Sequence, residues 1–375
     1  GLDSLLEFLR DIEKVADGKQ PSVILESTGQ YHMPVIQFLE EQQYVYIIVN
    51  PLISHRARST NLRKVKTDAI DAYHLCELYY KEELEPYKKR GIQLLNLRNL
   101  TRQQETLSST AAQTKLQLQS ILDQVFPEYR GVFGNLYSKI SLQILSIFPT
   151  SKEVLSVNES DLTNKIAELC TTRSEKWAKE KAIKLREAAL RNPFQNNLYQ
   201  SHIFNLRMFI NIVLQYQEHL SKLAAEIDAL AKEIEEYEII QSIPGVGEKI
   251  AATIISEIGE IERFNHPKKL VAFAGIDPSV YSSGRFTASI NRITKRGSSR
   301  LRQALFMAVQ CGIRDARKQK TSDEIIPRNK KLREFYDKKR EEGKPFRVAI
   351  IACANKLLHW IYALLKRKMA FQNTD

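Results

Sequence analysis

A turn rich in hydroxyl residues lies directly before the most basic part of the sequence. Ser282 and Ser283 precede Gly284, and residues 283–320 include ten Lys or Arg residues and a single acid, Asp315. A hydroxyl oxygen can attack a phosphodiester when cations hold the phosphate and neutralise the charge that develops on its oxygens. This stretch therefore predicts phosphodiester chemistry, and the alternative is a solvated basic helix after a polar loop.

Three acidic residues are candidates for a metal site. Glu26 follows a short apolar run, and Asp68 and Asp71 lie one turn apart at the start of a predicted helix. Carboxylates on a face that packs toward a sheet are costly to bury unless a cation neutralises them, and oxygen ligands favour Mg²⁺ or Mn²⁺. Two such ions can clamp the attacking and leaving oxygens of a phosphoryl transfer. The alternative is that Thr67 and Asp68 only cap the helix.

Hydrophobic periodicity predicts the elements that must position these acids. Residues 2–17 and 31–42 predict helices, and residues 23–25 and 44–49 predict short buried strands. Alternating helices and strands indicate a parallel sheet covered by helices. Glu26 is then expected at the carboxyl edge of the sheet, where such folds place their sites.

The middle of the chain is dominated by two long apolar seams. Residues 97–125 and 213–237 carry apolar positions at steps of three and four, which predicts long helices that pair with each other or with another subunit. Residues 128–200, between the seams, are predicted to be helical and suggest no chemistry of their own.

A Pro-Gly-Val-Gly-Glu-Lys turn follows the second seam. Residues 242–252 have the form of a helix-hairpin-helix, whose exposed amides can cradle a phosphate, and a plain helical turn is the alternative. After the serine turn, residues 301–313 and 346–368 predict helices. The polar linker 322–329 between them is the stretch most expected to be disordered.

The composition indicates a polyanionic partner. The chain has 375 residues, a formal charge of +12 and four scattered cysteines, which suits two or three domains, reduced thiols and a nucleic-acid ligand. The longest apolar run, 348–365, contains Asn355, Lys356 and His359, so it predicts a buried helix and no membrane span.

Several motifs, taken in order, resemble those of one family, the insertion-sequence transposases of the IS110 type, relatives of the Piv invertases. The similar stretches are LESTGQYHMPV, VNPLISHRARS, KTDAIDA, SIPGVGEKIAA and FAGIDPSVYSSG followed by ITKRGSSRLRQAL. The resemblance covers nearly the whole chain apart from about residues 128–200.

The resemblance implies a division into three domains. Residues 1–90 would form an acidic α/β domain of RuvC-like (RNase H-like) fold without its first strands. Residues 91–240 would form a coiled coil of long helices with a helical insertion at about 128–200. Residues 241–375 would form a mostly α-helical domain that contains the helix-hairpin-helix and a nucleophilic serine.

The family resemblance also assigns roles to individual residues. Glu26, Asp68 and Asp71 match three of four metal-binding acids, Ser283 matches the proposed nucleophile, and Ser282 is the lesser candidate. We expect the following basic residues to bind nucleic acid: Lys64, Lys66, Lys249, Arg285, Arg292, Lys295, Arg296, Arg300 and Arg302.

The family's first aspartate lies on a strand upstream of the first helix. Asp3 and Asp11 lie on the amphipathic helix itself and are not expected to replace it. If Gly1 is the natural beginning, the central strand and one metal ligand are absent, and we expect the acidic site to be impaired.

The resemblance further implies partners and a location. A structured guide RNA encoded by the element would select donor and target DNA, and a homo-oligomer, dimer or tetramer, would form composite sites from acidic and serine domains. The expected cofactors are Mg²⁺ or Mn²⁺, and the expected location is the cytoplasm of a prokaryote, associated with the nucleoid.

Three other functions remain open from the residues alone. A metal-dependent junction nuclease would use water, with Ser283 only structural. Tyr281 could be the nucleophile, although no His-x-x-Arg motif precedes it as a tyrosine recombinase site requires. A decayed transposase would bind nucleic acid without cutting it.

Overall fold

The computed structural model of the chain describes residues 1–27, 31–49, 67–81, 91–194, 200–279, 282–283, 286–287, 292–314 and 326–372. Contacts divide the chain into two compact units, residues 1–89 and 90–375. The described residues are mostly helical, with a small parallel sheet in the first unit and a short antiparallel pair in the second.

The first unit alternates helices and strands as the periodicity predicts. Its elements are α1 (Leu2–Val15), β1 (Val23–Glu26), α2 (His32–Glu41), β2 (Tyr46–Val49) and α3 (Asp68–Lys81). The strands are parallel, with Val23 opposite Tyr46 and Glu26 opposite Val49. The parallel pairing is confirmed, and Glu26 is the last residue of β1 itself.

Helices cover both faces of this sheet because its side chains alternate in direction. Leu9 of α1 and Leu39 of α2 share one apolar cluster with Tyr46. Leu78 of α3 packs in a second cluster with Ile47 and Val49. Alternate residues of the four-residue strands therefore face different helices, and the sheet lies between them.

The second unit is formed by long and short helices. In chain order they are α4 (Ile92–Val125), α5 (Lys139–Ile147), α6 (Ser151–Ser156), α7 (Glu159–Leu169), α8 (Glu175–Arg191), α9 (Gln200–Lys232), α10 (Glu235–Gln241), α11 (Glu248–Ile258), α12 (Pro267–Ala274), α13 (Ser299–Ile313), α14 (Lys330–Glu341) and α15 (Phe346–Arg367). The antiparallel pair is β3 (Ser282–Ser283) with β4 (Phe286–Thr287).

The two long helices, α4 and α9, pack against each other in opposite directions. Leu97 near the start of α4 shares a core with Ile227 near the end of α9. Leu122 near the end of α4 shares another core with Leu206 near the start of α9. The apolar seams therefore pair within one chain, and a coiled-coil supercoil stays a prediction.

Helices α5 to α8 form a bundle at the far end of the long pair. Each begins at a residue whose side chain accepts a hydrogen bond from the first turn: Ser138, Thr150, Asn158 and Ser174. Phe126 and Tyr129 are fully or almost fully buried in its core. The predicted helical character of this region is confirmed over these four helices, whereas residues 130–138 form an irregular connection.

Helices α10 to α15 surround a separate core at the near end of the long pair. Helix α15 is long and apolar enough to cross a membrane by length and composition. One side of it is nevertheless buried in this core, where Ile350, Cys353, Leu357 and Ile361 have at most 1% exposure. The prediction of a buried helix is confirmed, and the apolar run is explained by packing.

Candidate functional site

Ser283 is the last residue of β3, in a short antiparallel ribbon. Its backbone lies opposite Phe286 of β4, and Ser282 lies opposite Thr287. Gly284 and Arg285 connect the strands and lie outside the described residues. The chain therefore reverses direction directly after the predicted nucleophile.

The two arms of this ribbon are joined again near its base. Ser279 donates its backbone N–H to the carbonyl of Arg292 at 2.8 Å, and Thr294 donates to the carbonyl of Asp277 at 2.9 Å. The Thr294 hydroxyl also donates to the Asp277 carboxylate at 2.6 Å. We call residues 277–294 the serine hairpin, because antiparallel pairing joins its two arms both at Ser282–Thr287 and at Pro278–Ile293.

The base of the serine hairpin is fixed between α12 and α13. Ser298 donates its backbone N–H to the carbonyl of Phe273 at 2.8 Å, and Lys295 donates to the carbonyl of Gly275 at 3.0 Å. Gly297 has φ +133°, and a Cβ there would lie 2.2 Å from the Phe273 oxygen. Only glycine permits this close crossing of two backbone segments.

Three predicted phosphate-binding cations are exposed on the returning arm and at the base. They are Arg292, Lys295 and Arg296. Lys295 adopts the left-handed conformation, φ +53°. Arg285 lies outside the described residues. Exposed cations on the arm that follows Ser283 are suited to bind phosphates of a nucleic acid.

Arg300 and Arg302 have partners within the protein. Arg300 pairs with Glu105 of α4. Arg302 donates to the carbonyl of Ala274 at 2.9 Å. Both residues stabilise the start of α13 against its neighbours, and their predicted role in binding nucleic acid stays a prediction.

A buried ion-pair network joins this base to the long helix α4. The Glu257 side chain has no solvent exposure, and Arg102 donates to its two oxygens at 2.8 and 3.1 Å. Ser298, which caps α13 by accepting from the backbone of Leu301, donates to the same carboxylate at 2.8 Å. The carboxylate therefore contacts both α4 and the residue that begins α13.

The charge state of Glu257 follows from these contacts. Burial alone would raise its pKa, but the hydrogen bond from Arg102 and the charges of Arg98 and Arg102 outweigh burial and lower the pKa to about 2. The sequence carries no signal for the role of Glu257, because the residue lies on an apolar helix and its arginine partners are about 155 positions away in sequence.

The Pro-Gly-Val-Gly turn joins α10 to α11 as a tight connection. Gly245 has φ +99°, and a Cβ there would lie 2.4 Å from the Cα of Gly312 on α13. The turn borders a cleft of about 430 Å³ that the exposed Lys249 and Arg328 also line. The helix-hairpin-helix assignment and phosphate binding by Lys249 stay predictions.

The acidic candidates lie in the first unit. Glu26 ends β1, and Asp68 and Asp71 occupy the first turn of α3, which packs on the sheet through Leu75 and Leu78. One oxygen of Asp71 is shielded from solvent, whereas Asp68 is exposed.

The capping alternative has some geometric support. The Thr67 hydroxyl accepts a hydrogen bond from the backbone of Ile70 at 3.4 Å. Among the described residues, no three His, Cys, Asp or Glu side chains are grouped closely enough to hold a metal. Lys64, Lys66 and Tyr281 lie outside the described residues.

Two family models match the chain, and both describe transposases. Residues 2–127 match the DEDD transposase domain of the IS110 type. Residues 237–324, which include the serine hairpin, match a domain described as the transposase IS116/IS110/IS902 family. The chain belongs to the IS110 family of transposases. The match of the first model implies a RuvC-like fold and the use of divalent metal in the DEDD domain.

Individual relatives agree with this family. The chain is 31% identical over 160 residues to the transposase of insertion sequence IS1111A from Coxiella burnetii, which is 43% of this chain and 41% of the relative. It is 23% identical over 374 residues to the 42 kDa protein of insertion element IS900 from Mycobacterium paratuberculosis, covering 97% and 87% of the two chains.

DNA-inverting proteins are also relatives. The pilin gene-inverting protein of Moraxella bovis is 27% identical over 133 residues, which is 36% of this chain and 38% of the relative. The matched stretch is therefore less than half the length of the pilin gene-inverting protein and less than half that of the IS1111A transposase.

Proposed function

We propose that this chain is a DNA recombinase that cuts and rejoins DNA through a covalent bond between Ser283 and a DNA phosphate. The observation that carries the proposal is the serine hairpin. Ser283 is the last residue of its strand β3, and exposed cations follow on the returning side of the chain. This hairpin lies within the stretch that matches the transposase family.

The proposed chemistry is a transesterification. The Ser283 hydroxyl oxygen attacks phosphorus, a new O–P bond forms, and the P–O bond to one deoxyribose oxygen breaks. The serine proton is lost to a base or solvent, and the departing oxygen takes up a proton. A hydroxyl of another DNA end then reverses the step and releases the serine, so one phosphodiester replaces another without an energy source.

The exposed cations would hold the phosphate during this exchange. Arg292, Lys295 and Arg296 follow Ser283 on the returning side of the hairpin. Charge on the phosphate oxygens rises as the fifth P–O contact forms, and guanidinium and ammonium groups placed beside it stabilise that state.

A divalent metal is part of the proposal through the DEDD domain. Carboxylate oxygens of Glu26, Asp68 and Asp71 are the donor type that Mg²⁺ and Mn²⁺ prefer. When bound, such an ion supplies charge to activate a reacting oxygen. Among the described residues, these acids do not form a three-ligand group.

RNA guidance and oligomer formation are further parts of the proposal. A net charge of +12 suits a chain that binds an element-encoded guide RNA together with donor and target DNA. A dimer or tetramer would combine the acidic unit of one copy with the serine hairpin of another. The proposed location is the prokaryotic cytoplasm, at the nucleoid.

The test is a comparison of two adjacent serines. Purified Ser283→Ala and Ser282→Ala chains are incubated with DNA carrying an element end, guide RNA and Mg²⁺, and DNA-linked protein is detected after denaturation. We expect the adduct with Ser282→Ala and none with Ser283→Ala, and peptide mapping should place the nucleotide on Ser283. An adduct formed by Ser283→Ala, or cleavage by both variants without any adduct, would overturn the proposal.

A further inference from the structure

Three aromatic rings and two lysines near the carboxyl terminus contact one another in series. The Lys339 ammonium lies 5.4 Å from the ring centre of Phe335. The Lys356 ammonium lies 4.4 Å from the same ring and 5.5 Å from that of Trp360. The rings of Trp360 and Phe371 are 5.6 Å apart. We call these residues the aromatic–lysine stripe.

The stripe is held in place by secondary structure. Phe335 and Lys339 are one turn apart on α14, and Lys356 and Trp360 are one turn apart on α15, so each pair lies on one side of its helix. Phe371 is fixed because its backbone N–H donates to the Ser242 hydroxyl at 2.7 Å. The five side chains are partly exposed.

The two helices that carry the stripe differ in charge, since α14 includes the acids Glu334, Asp337 and Glu341. Helix α15 contains four Lys or Arg residues, Arg347, Lys356, Lys366 and Arg367, and no acid. Arg367 lies seven positions and almost two turns after Trp360, on the same side. No carboxylate of the described residues is within ion-pair distance of Lys356, whereas Lys339 pairs with Glu342 at 2.9 Å.

From these contacts we infer that the stripe binds single-stranded DNA. Aromatic rings stack on bases of any sequence, and Lys356, which lies between the rings of Phe335 and Trp360, can contact the phosphate that separates two stacked bases. The stripe lies beyond residues 237–324, the stretch that matches the transposase family. The identity of the ligand rests on the proposed function, because a recombinase must hold strands that are unpaired during exchange.

Tryptophan fluorescence can distinguish binding at the stripe from binding elsewhere on the chain. The protein has two tryptophans, Trp177 and Trp360, and each has a lysine beside its ring. Full-length Trp177→Phe and Trp360→Phe chains each report one site. We expect an oligodeoxythymidylate of about 16 nucleotides to quench Trp360 in the first variant and to leave Trp177 unquenched in the second.

A matched pair of lysine variants tests the stripe itself. Lys356→Ala, made in the Trp177→Phe chain, should weaken binding of the oligodeoxythymidylate by roughly tenfold. Lys181→Ala in the same chain is the control, because Lys181 lies over Trp177 at 5.9 Å in the helical bundle, and it should leave binding unchanged. Circular dichroism of both variants checks that the fold is retained.

Each outcome decides the inference. Trp360 left unquenched, equal binding by Lys356→Ala and Lys181→Ala, or quenching by oligouridylate but not by the DNA would overturn it. Formation of the Ser283 adduct is a separate measurement. A chain that forms the adduct while Trp360 stays unquenched would refute only the stripe, and a chain with Trp360 quenched and no adduct would refute only the serine mechanism.

Discussion

Arg102 of α4 holds the fully buried carboxylate of Glu257 with two hydrogen bonds, at 2.8 and 3.1 Å. Glu257 in turn accepts from Ser298, the residue that caps α13. The serine hairpin ends four residues before that cap, so a single carboxylate connects the long helix to the segment that follows the hairpin. A buried ion pair of this kind fixes relative position, because separating its members would leave an uncompensated buried charge.

Replacing Glu257 should therefore lower stability. In Glu257→Gln the arginines lose their counter-charge, and we expect the free energy of unfolding to fall by about 3 kcal/mol. Glu248→Gln is the control, since Glu248 is exposed on the same helix. Urea denaturation at neutral pH measures both, and equal stability of the two variants would show that the network contributes nothing.

The same carboxylate gives the protein a specific response to acid. Its pKa is lowered to about 2 from an ordinary value of 4.5, so the unfolded chain takes up this proton first as the pH falls. The contribution of Glu257 to stability is complete above about pH 4.5 and is lost between there and pH 2. The stability difference between wild type and Glu257→Gln should narrow across that window, and a constant difference would contradict the assignment.

Backbone crossing at the hairpin base gives a prediction about Gly297. A Cβ at this position would lie 2.2 Å from the Phe273 oxygen, and φ is +133°. Gly297→Ala should cost roughly 1–3 kcal/mol in unfolding free energy and reduce adduct formation at Ser283. Gly134→Ala is the matched control because a Cβ at Gly134 meets open space. A Gly297→Ala chain with full adduct yield would show that the base does not position the serine.

Much of the fold follows from apolar spacing in the sequence. Helices at residues 2–15 and 346–367 and the parallel pairing of 23–26 with 46–49 agree with the predictions, because burial of one side imposes a regular period on each element. For the serine hairpin the sequence predicts only a turn, since two-residue strands carry too few side chains to show alternation. Its signal was the Ser-Gly dipeptide between Tyr-Ser and Phe-Thr.

The roles of the basic residues depend on distant contacts. Arg296 and Arg300 have the same charge in the same basic stretch, yet Arg296 is exposed and Arg300 pairs with Glu105, 195 positions away. Composition cannot separate a cation available to DNA from one that holds two helices together. The roles of the acidic candidates are equally hard to predict from the sequence, because whether side chains of β1 and α3 form one group depends on tertiary structure.

Salt dependence should separate the two kinds of arginine. Arg296→Ala should reduce the slope of log binding constant for duplex DNA against log salt concentration by about 1, as expected for one lost phosphate contact. Arg302→Ala should leave that slope unchanged and lower the melting temperature, since Arg302 donates to the Ala274 carbonyl at 2.9 Å. If Arg302→Ala reduced the salt-dependence slope and left the melting temperature unchanged, Arg302 would be a phosphate contact and not a structural residue.

The acidic unit can be tested without measuring recombination. Asp71 has one oxygen shielded from solvent on the helix that packs against β1, and the proposed function makes it a ligand of Mn²⁺ or Mg²⁺. Electron paramagnetic resonance of free Mn²⁺ should show weaker binding by Asp71→Asn than by wild type, since an amide oxygen carries less charge than a carboxylate. Asp11→Asn is the control, because Asp11 is an exposed acid of α1 paired with Lys14 at 2.9 Å. Equal Mn²⁺ binding by both variants would remove Asp71 from the proposed metal site and favour helix capping as the role of this first turn.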